Sequence, residues 1–161
     1  MNCAIRQVTA ADVDAVTRLE AKCFPPHEAP GREVFARRIA AFGDSFFVAE
    51  QDGEILGMIN GCVTDQPRIL DAMYQDESLH RPEGAYQTVF GLAVDPDFRR
   101  QGIASQLMRY FIQLAKERGK AGLVLTCSLD KIPFYERYGY ENEGCFKTDS
   151  DGDWYRMVLR F

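Results

Sequence analysis

Apolar residues recur along this chain with two periods. Alternating or continuous apolar runs rich in β-branched and aromatic residues occupy 3–8, 45–50, 54–62, 86–94, 122–127, 140–147 and 153–160, and read as strands. Between them lie segments of helical period. In the first, Val13, Val16, Leu19, Glu20 and Cys23 share a stripe, with Thr9 placed to cap the start. A second helix is predicted over 32–42, closed by Gly43. The longest runs over 101–118, with Ile103, Leu107, Tyr110, Phe111 and Leu114 on one side and Gly119 at its end. A short one lies near 131–138.

The connections are equally marked. Asp52-Gly53 between two strands predicts a tight hairpin. Pro25, Pro26, Pro30 and Gly31 exclude regular structure from 24–31. The stretch 64–83 is polar and irregular, with at most a helical turn at 69–74. Its length is unusual for a connection within a compact domain and hints at function. Strands alternate with helices early and the chain closes β-rich. The expected fold class is α/β: one domain over 1–161, a mixed, mostly antiparallel seven-stranded sheet, and helices on both faces. There are no repeats and no low-complexity segments.

Candidate chemistry concentrates where the strand 86–94 meets the long helix. The sequence there is Leu92-Ala-Val-Asp-Pro-Asp-Phe-Arg99-Arg100-Gln101-Gly102-Ile103-Ala104. A helix N-terminus offers unpaired N–H groups and partial positive charge, which suits a phosphate. Gly102 lets an anion approach the backbone, Ala104 is nearly as small, and the two arginines add charge for a diphosphate. The strand 122–127 follows, and then Ile132-Pro-Phe-Tyr135-Glu-Arg-Tyr138-Gly-Tyr140.

The pattern Arg99-x-x-Gly102-x-Ala104 resembles the acyl-CoA pyrophosphate loop of the Gcn5-related N-acetyltransferases. Together with Cys127, the block 133–140, Leu19-Glu-Ala-Lys-Cys-Phe-Pro-Pro26 and Val63-Thr-Asp65, it is similar to the arylalkylamine (serotonin-type) N-acetyltransferases and their bacterial relatives. The resemblance is strong over 86–144 and loose elsewhere. It implies the acyl-CoA N-acyltransferase fold, with acetyl-CoA in a splay between the strands 86–94 and 122–127. It implies that backbone groups of Leu92, Ala93 and Val94 hold the pantetheine arm, and that Arg99, Arg100, Gln101, Gly102, Ile103 and Ala104 hold the pyrophosphate. Tyr135 falls at the family's general acid. A phenol with a pKa near ~10 is protonated at neutral pH and can protonate a departing thiolate. The alternative for Tyr135 is a core aromatic, like Phe134 and Tyr138.

In one respect the chain departs from the resemblance. Where the vertebrate members carry two histidines that help remove the amine's proton, this chain has Thr88 and Phe90. Strand alternation is expected to put both on one face with Tyr86, Leu92 and Val94, lining an apolar substrate channel. The proton must then leave through water or a carboxylate elsewhere. Glu28 in the proline-rich loop is the first candidate base, with His27 beside it and Glu20 on the first helix behind them. A solvated, idle Glu28 is the competing reading.

The bulk properties agree. Hydrophobic residues make up 46% and the net charge is −5, so nucleic acid and anionic membranes are not expected partners. A polyanionic cofactor then requires a local cationic site. The five cysteines lack Cys-x-x-Cys spacing and read as reduced thiols, and only two histidines are present. No metal-ligand cluster, secretory leader or membrane span is evident, so a cytoplasmic, metal-free monomer or homodimer is expected. The leading function is transfer of acetyl from acetyl-CoA to a primary amine of a small molecule, with an arylalkylamine or polyamine as candidates, by direct attack in a ternary complex. The alternatives are a protein or peptide N-acetyltransferase acting on α-amino or lysine groups, and a catalytically silent acyl-CoA-binding module.

Overall fold

A computed structural model describes residues 3–161. Nine strands and four α-helices follow one another as β1 (Ala4–Gln7), α1 (Val13–Cys23), α2 (Arg32–Phe42), β2 (Phe46–Gln51), β3 (Glu54–Asn60), β4 (Val63–Thr64), β5 (Tyr86–Val89), β6 (Gly91–Val94), α3 (Ile103–Glu117), β7 (Gly122–Cys127), α4 (Ile132–Glu136), β8 (Glu141–Asp149) and β9 (Gly152–Arg160). Short 3₁₀ turns join several of them. Seven strands were expected. The count rises because 86–94 divides at Phe90 and Val63–Thr64 pairs as a strand of its own.

The strands form two sheets, ordered β1-β2-β3-β6 and β4-β5-β7-β9-β8. Every pairing is antiparallel except β5 with β7. The β2–β3 turn adopts positive φ at both Asp52 and Gly53, the geometry that Asp-Gly tolerates and that matches strand twist. Thr9 opens the turn before α1 by donating its N–H to Asp12 Oδ2 at 2.8 Å. Arg6 of β1 then ties Asp12 to Glu50 of β2.

Helices cover both faces. α3 lays Ile103, Leu107 and Phe111, each at most 1% exposed, against Phe47, Ile59, Leu123 and Leu125. Burying each such side chain stabilises the fold by about 1.5–3 kcal/mol. α1 and α2 cover the opposite face, where Val16, Leu19 and Phe35 meet Phe46, Val48, Met58 and Ala93. A third cluster joins Phe42 of α2 to Ile69 and Met73 of the 65–85 segment and to Val124 and Val158 of the second sheet. The polar segment 65–85 is therefore packed down rather than free.

Candidate active site

The site begins with a fault in a strand. Phe90 N–H donates to Asn60 O at 2.7 Å, while Gly91 is also the register partner of Asn60. Two residues thus oppose one, which is a β-bulge. The bulge reverses the alternation of the chain. Before it, Tyr86 and Phe90 pack toward α2 and the 65–85 segment. After it, Leu92 and Val94 pack toward α3, and Ala93 toward α1. The face expected to hold Thr88, Phe90, Leu92 and Val94 together is therefore split.

The bulge also parts the two sheets. β5 pairs with β7, whereas β6 pairs with β3 alone among the described strands. One edge of β6 is left open beside β7. Asp95 N–H donates to Leu56 O at 2.8 Å, so antiparallel alternation turns Ala93 toward β3 and the backbone groups of Leu92 and Val94 toward the open edge. Ala93 itself is 3% exposed, its side chain in the core.

A cleft of about 420 Å³ continues from this edge over the start of α3, lined by Val94, Phe98, Arg99, Arg100, Gly102, Ile103, Ala104, Ser105, Phe134 and Arg137. Arg100 and Gly102 both have positive φ, 64° and 84°, so the loop turns back on itself before the helix. A β-carbon at Gly102 would meet nothing within 4 Å. Glycine is required there by its left-handed backbone rather than by crowding within the protein. No side chain caps α3 and no acidic residue lies in its first turn. The first N–H groups of the helix therefore have no partner within it, and Arg99, Arg100 and Arg137 add positive charge around them. Gln101 is exposed in the same loop but does not line the cleft. Arg137 and Phe134, which the sequence reading did not assign to this cleft, come from α4 and its end, with the guanidinium 5.1 Å from the ring centre.

Tyr135 lies on α4, across from the end of β7. Its ring meets Phe134 and Tyr140 edge-on, at 5.1 and 5.8 Å between ring centres. Burial, with Cys127 and Tyr138 close by, pushes its phenol well above the usual range, so it keeps its proton. Cys127 is itself buried and its thiol is pushed up to about 11 by burial and the nearby Asp130. It is a packed thiol, not a thiolate.

Comparison with known proteins shows the family. Residues 13–140 match the profile of the acetyltransferase (GNAT) family. The chain belongs to that family. It is 30% identical to N-acetyltransferase 8 of Homo sapiens over 105 residues, covering 63% of this chain and 40% of that protein. It is 33% identical to serotonin N-acetyltransferase of Mesocricetus auratus over 95 residues, covering 58% of this chain and 44% of the other. The aligned part thus spans less than half the length of both relatives. Its fold matches a GNAT-like decarboxylase, GphF, solved with isobutyryl-CoA, at a TM-score of 0.86 and 21% identity over 98% of both chains.

In this GNAT chain the other side of the bulge holds a buried polar cluster. Glu20 of α1, Arg38 of α2 and Asn60 of β3 are 7%, 4% and 1% exposed. Arg38 Nη1 donates to Asn60 Oδ1 at 3.0 Å and Nη2 to Tyr74 O at 2.8 Å. Its guanidinium lies 4.8 Å from the centre of the Phe90 ring. Burial lowers Arg38 to about 10, against the opposing pull of Glu20. Glu20 is pushed up to about 7 by burial, only partly offset by Arg38. Three atoms of the cluster have no hydrogen-bond partner: Glu20 Oε2, Arg38 Nε and Asn60 Nδ2. The sequence reading missed Arg38, although one signal marks it. It falls on the helical stripe of Val34, Phe35 and Phe42, where an unpaired charge is out of place.

The remaining sequence candidates are dispersed. Thr88 has no exposed surface, and its hydroxyl donates to Cys62 O at 2.8 Å. It presents nothing to a substrate. Phe90 is half-buried, its ring tilted against Tyr74 with 4.9 Å between ring centres. Glu28 is exposed, and His27 Nε2 lies 3.0 Å from Asp151 at the β8–β9 turn. His27, Glu28 and Asp151 bring donor atoms within 4.8 Å of one another, a proximity between residues 124 positions apart that sequence spacing does not reveal. No helix among the described residues is long and apolar enough to cross a membrane.

Proposed function

We propose that this chain is an N-acetyltransferase that moves an acetyl group from acetyl-CoA to a primary amine of a small molecule. The observation that carries the proposal is the continuity of the open β6 edge with the cationic cleft over α3. A CoA arm fits the first and its pyrophosphate the second. Leu92 and Val94 offer backbone hydrogen bonds to the amides of the arm. Arg99, Arg100, Arg137 and the first N–H groups of α3 neutralise the phosphates. Bound acetyl-CoA supplies the activated thioester. Around it, a backbone N–H on the open edge near Leu92 polarises the carbonyl, and Tyr135 gives its proton to the leaving sulfur. Cys127, held as a thiol by burial and with no histidine assigned beside it, supports direct transfer over a covalent acetyl-enzyme.

Coverage of the acceptor side favours a small molecule over a protein. The 65–85 segment is fastened by Tyr74, whose hydroxyl lies 3.1 Å from Thr126 Oγ1, and by Lys147 on Asp71 at 3.2 Å. The proline-rich loop reaches the β8–β9 turn through His27 and Asp151. Both loops that flank the acceptor side are thus drawn toward the same hairpin, which narrows the opening. Phe90 and Tyr74 give it an aromatic wall, suited to an arylalkylamine.

The test is thiol release from acetyl-CoA with 2-phenylethylamine, tyramine, spermidine and an alanine-headed peptide. The proposal expects turnover with at least one small amine, at a higher kcat/KM than with the peptide. Preference for the peptide would overturn the small-molecule assignment. CoA binding without turnover on any amine would overturn the enzyme assignment.

A further inference from the structure

We infer that Glu20 is the base that accepts the proton of the acceptor amine, held in place by the Arg38–Asn60 pair at the β-bulge. The inference rests on the acetyl-transfer reading and extends it to the step that the missing strand histidines leave unassigned.

A β-carbon placed on Gly91 would stand 3.8 Å from both Glu20 Oε1 and Asn60 Nδ2. Both atoms therefore lie against Gly91, one residue before the open edge that begins at Leu92. This is the point where β5 and β6 part, and where an acetyl group at the end of the CoA arm would lie. Glu20 is more than nine-tenths buried, yet its Oε2 has no hydrogen-bond partner. An unpaired buried carboxylate is costly unless a ligand or water completes it. Asn60 Nδ2 and Arg38 Nε are unpaired in the same cluster, so the cluster holds unsatisfied groups of both polarities. An amine, which donates and accepts, satisfies such a set.

Burial then gives the carboxyl the right proton affinity. It titrates near neutrality, where a base must be both available and strong enough to act. The charged and titratable groups facing it are Arg38 from α2 and, at the end of its own helix, Cys23; Tyr74 and Cys62 face Arg38 in turn. β3 and β6 contribute only the uncharged Asn60 and Gly91. Glu28, by contrast, is solvated, and Thr88 is sealed in the core.

The Glu20 carboxylate takes one proton from the ammonium, which leaves a neutral amine. The nitrogen lone pair forms a C–N bond to the thioester carbonyl carbon. The tetrahedral intermediate collapses, the C–S bond breaks with its electron pair on sulfur, and sulfur takes the Tyr135 proton. The surplus proton on nitrogen returns to the Tyr135 oxygen, and Glu20 releases its proton to solvent.

The test compares wild type, Glu20→Gln and Glu20→Asp in thiol release with 2-phenylethylamine from pH 5.5 to 9.5, alongside calorimetric titration with CoA. The wild type should show an acidic limb near pH 7 in kcat. Glu20→Gln should lose that limb, follow the free-amine fraction instead, and fall about 100-fold in kcat at pH 7.5. Its CoA affinity should stay within twofold of wild type. Glu20→Asp should retain a displaced limb with partial activity, and it carries the test alone if the glutamine variant does not fold. An unchanged limb and rate in either variant overturns the inference while leaving acetyl transfer intact. Wild type that binds CoA but acetylates no amine overturns the underlying reading instead.

Discussion

At the scale of single residues, environment rather than identity separates three acidic or phenolic side chains. Glu20, Glu28 and Tyr135 were all candidates by position. Only burial distinguishes a carboxyl at about 7 from one in solvent. A buried carboxyl whose affinity for protons rises from 4.5 to about 7 on folding binds more protons in the folded state across that interval. Stability therefore falls as pH rises from 4.5 to 7, by about 3 kcal/mol in total. Glu20→Gln should remove this slope. Urea titrations at pH 5 and pH 8 check it: wild type is expected to lose stability over that range and the variant to lose markedly less. A slope of equal size in both would place the titration elsewhere. Tyr135 makes the second residue-scale prediction. Its hydroxyl acts on charge that develops only as sulfur leaves, so Tyr135→Phe should reduce kcat at least 100-fold while CoA affinity changes less than twofold. Turnover within threefold of wild type would make it a packing residue.

At the scale of elements, the turn into α3 and the bulge in the strand before it are decisive. Gly102 sits at a φ of 84°, which a β-branched residue resists by about 1–2 kcal/mol. Gly102→Val should therefore unwind the helix start, displace the N–H groups that face the cleft, and weaken CoA binding at least tenfold by calorimetry. A folded variant that binds CoA normally would remove the pyrophosphate from this turn. Helix boundaries were legible from the sequence because α1 and α3 carry apolar stripes and glycine closes α2 and α3. The bulge was not legible. Thr88, Val89, Phe90, Gly91 and Leu92 read as one uninterrupted strand, and nothing local announces that Asn60, thirty positions away, will face two of them. One added residue inverts every side chain beyond it. That is why Leu92 and Val94 turn away from the side that Phe90 faces.

At the scale of the whole molecule, a chain of net charge −5 concentrates cations over one helix end. A polyanionic ligand is drawn there against the average field, through partly exposed groups that salt screens. CoA affinity should accordingly fall severalfold between 50 and 500 mM salt, and Arg137→Ala should flatten the dependence. Isothermal titration at the two ionic strengths checks both; salt-independent binding would show that apolar contacts with the arm dominate.

What the sequence determined by itself was whatever is encoded within one helix turn or one strand. It set the α/β class, the longer helices, the hairpin at Asp52-Gly53, the strand-to-helix turn from Arg99 to Ala104, and Tyr135 on its short helix. Each of these depends on neighbours within a few positions, so local pattern suffices. Only the tertiary structure decided the split of 86–94, the seclusion of Thr88, the entry of Arg137 into the cleft, and the meeting of Glu20, Arg38 and Asn60. Those residues come from two helices and a strand. Their shared burial, which raises one proton affinity and lowers another, arises only once α1 and α2 close over the sheet and exclude the water that would otherwise make each side chain ordinary.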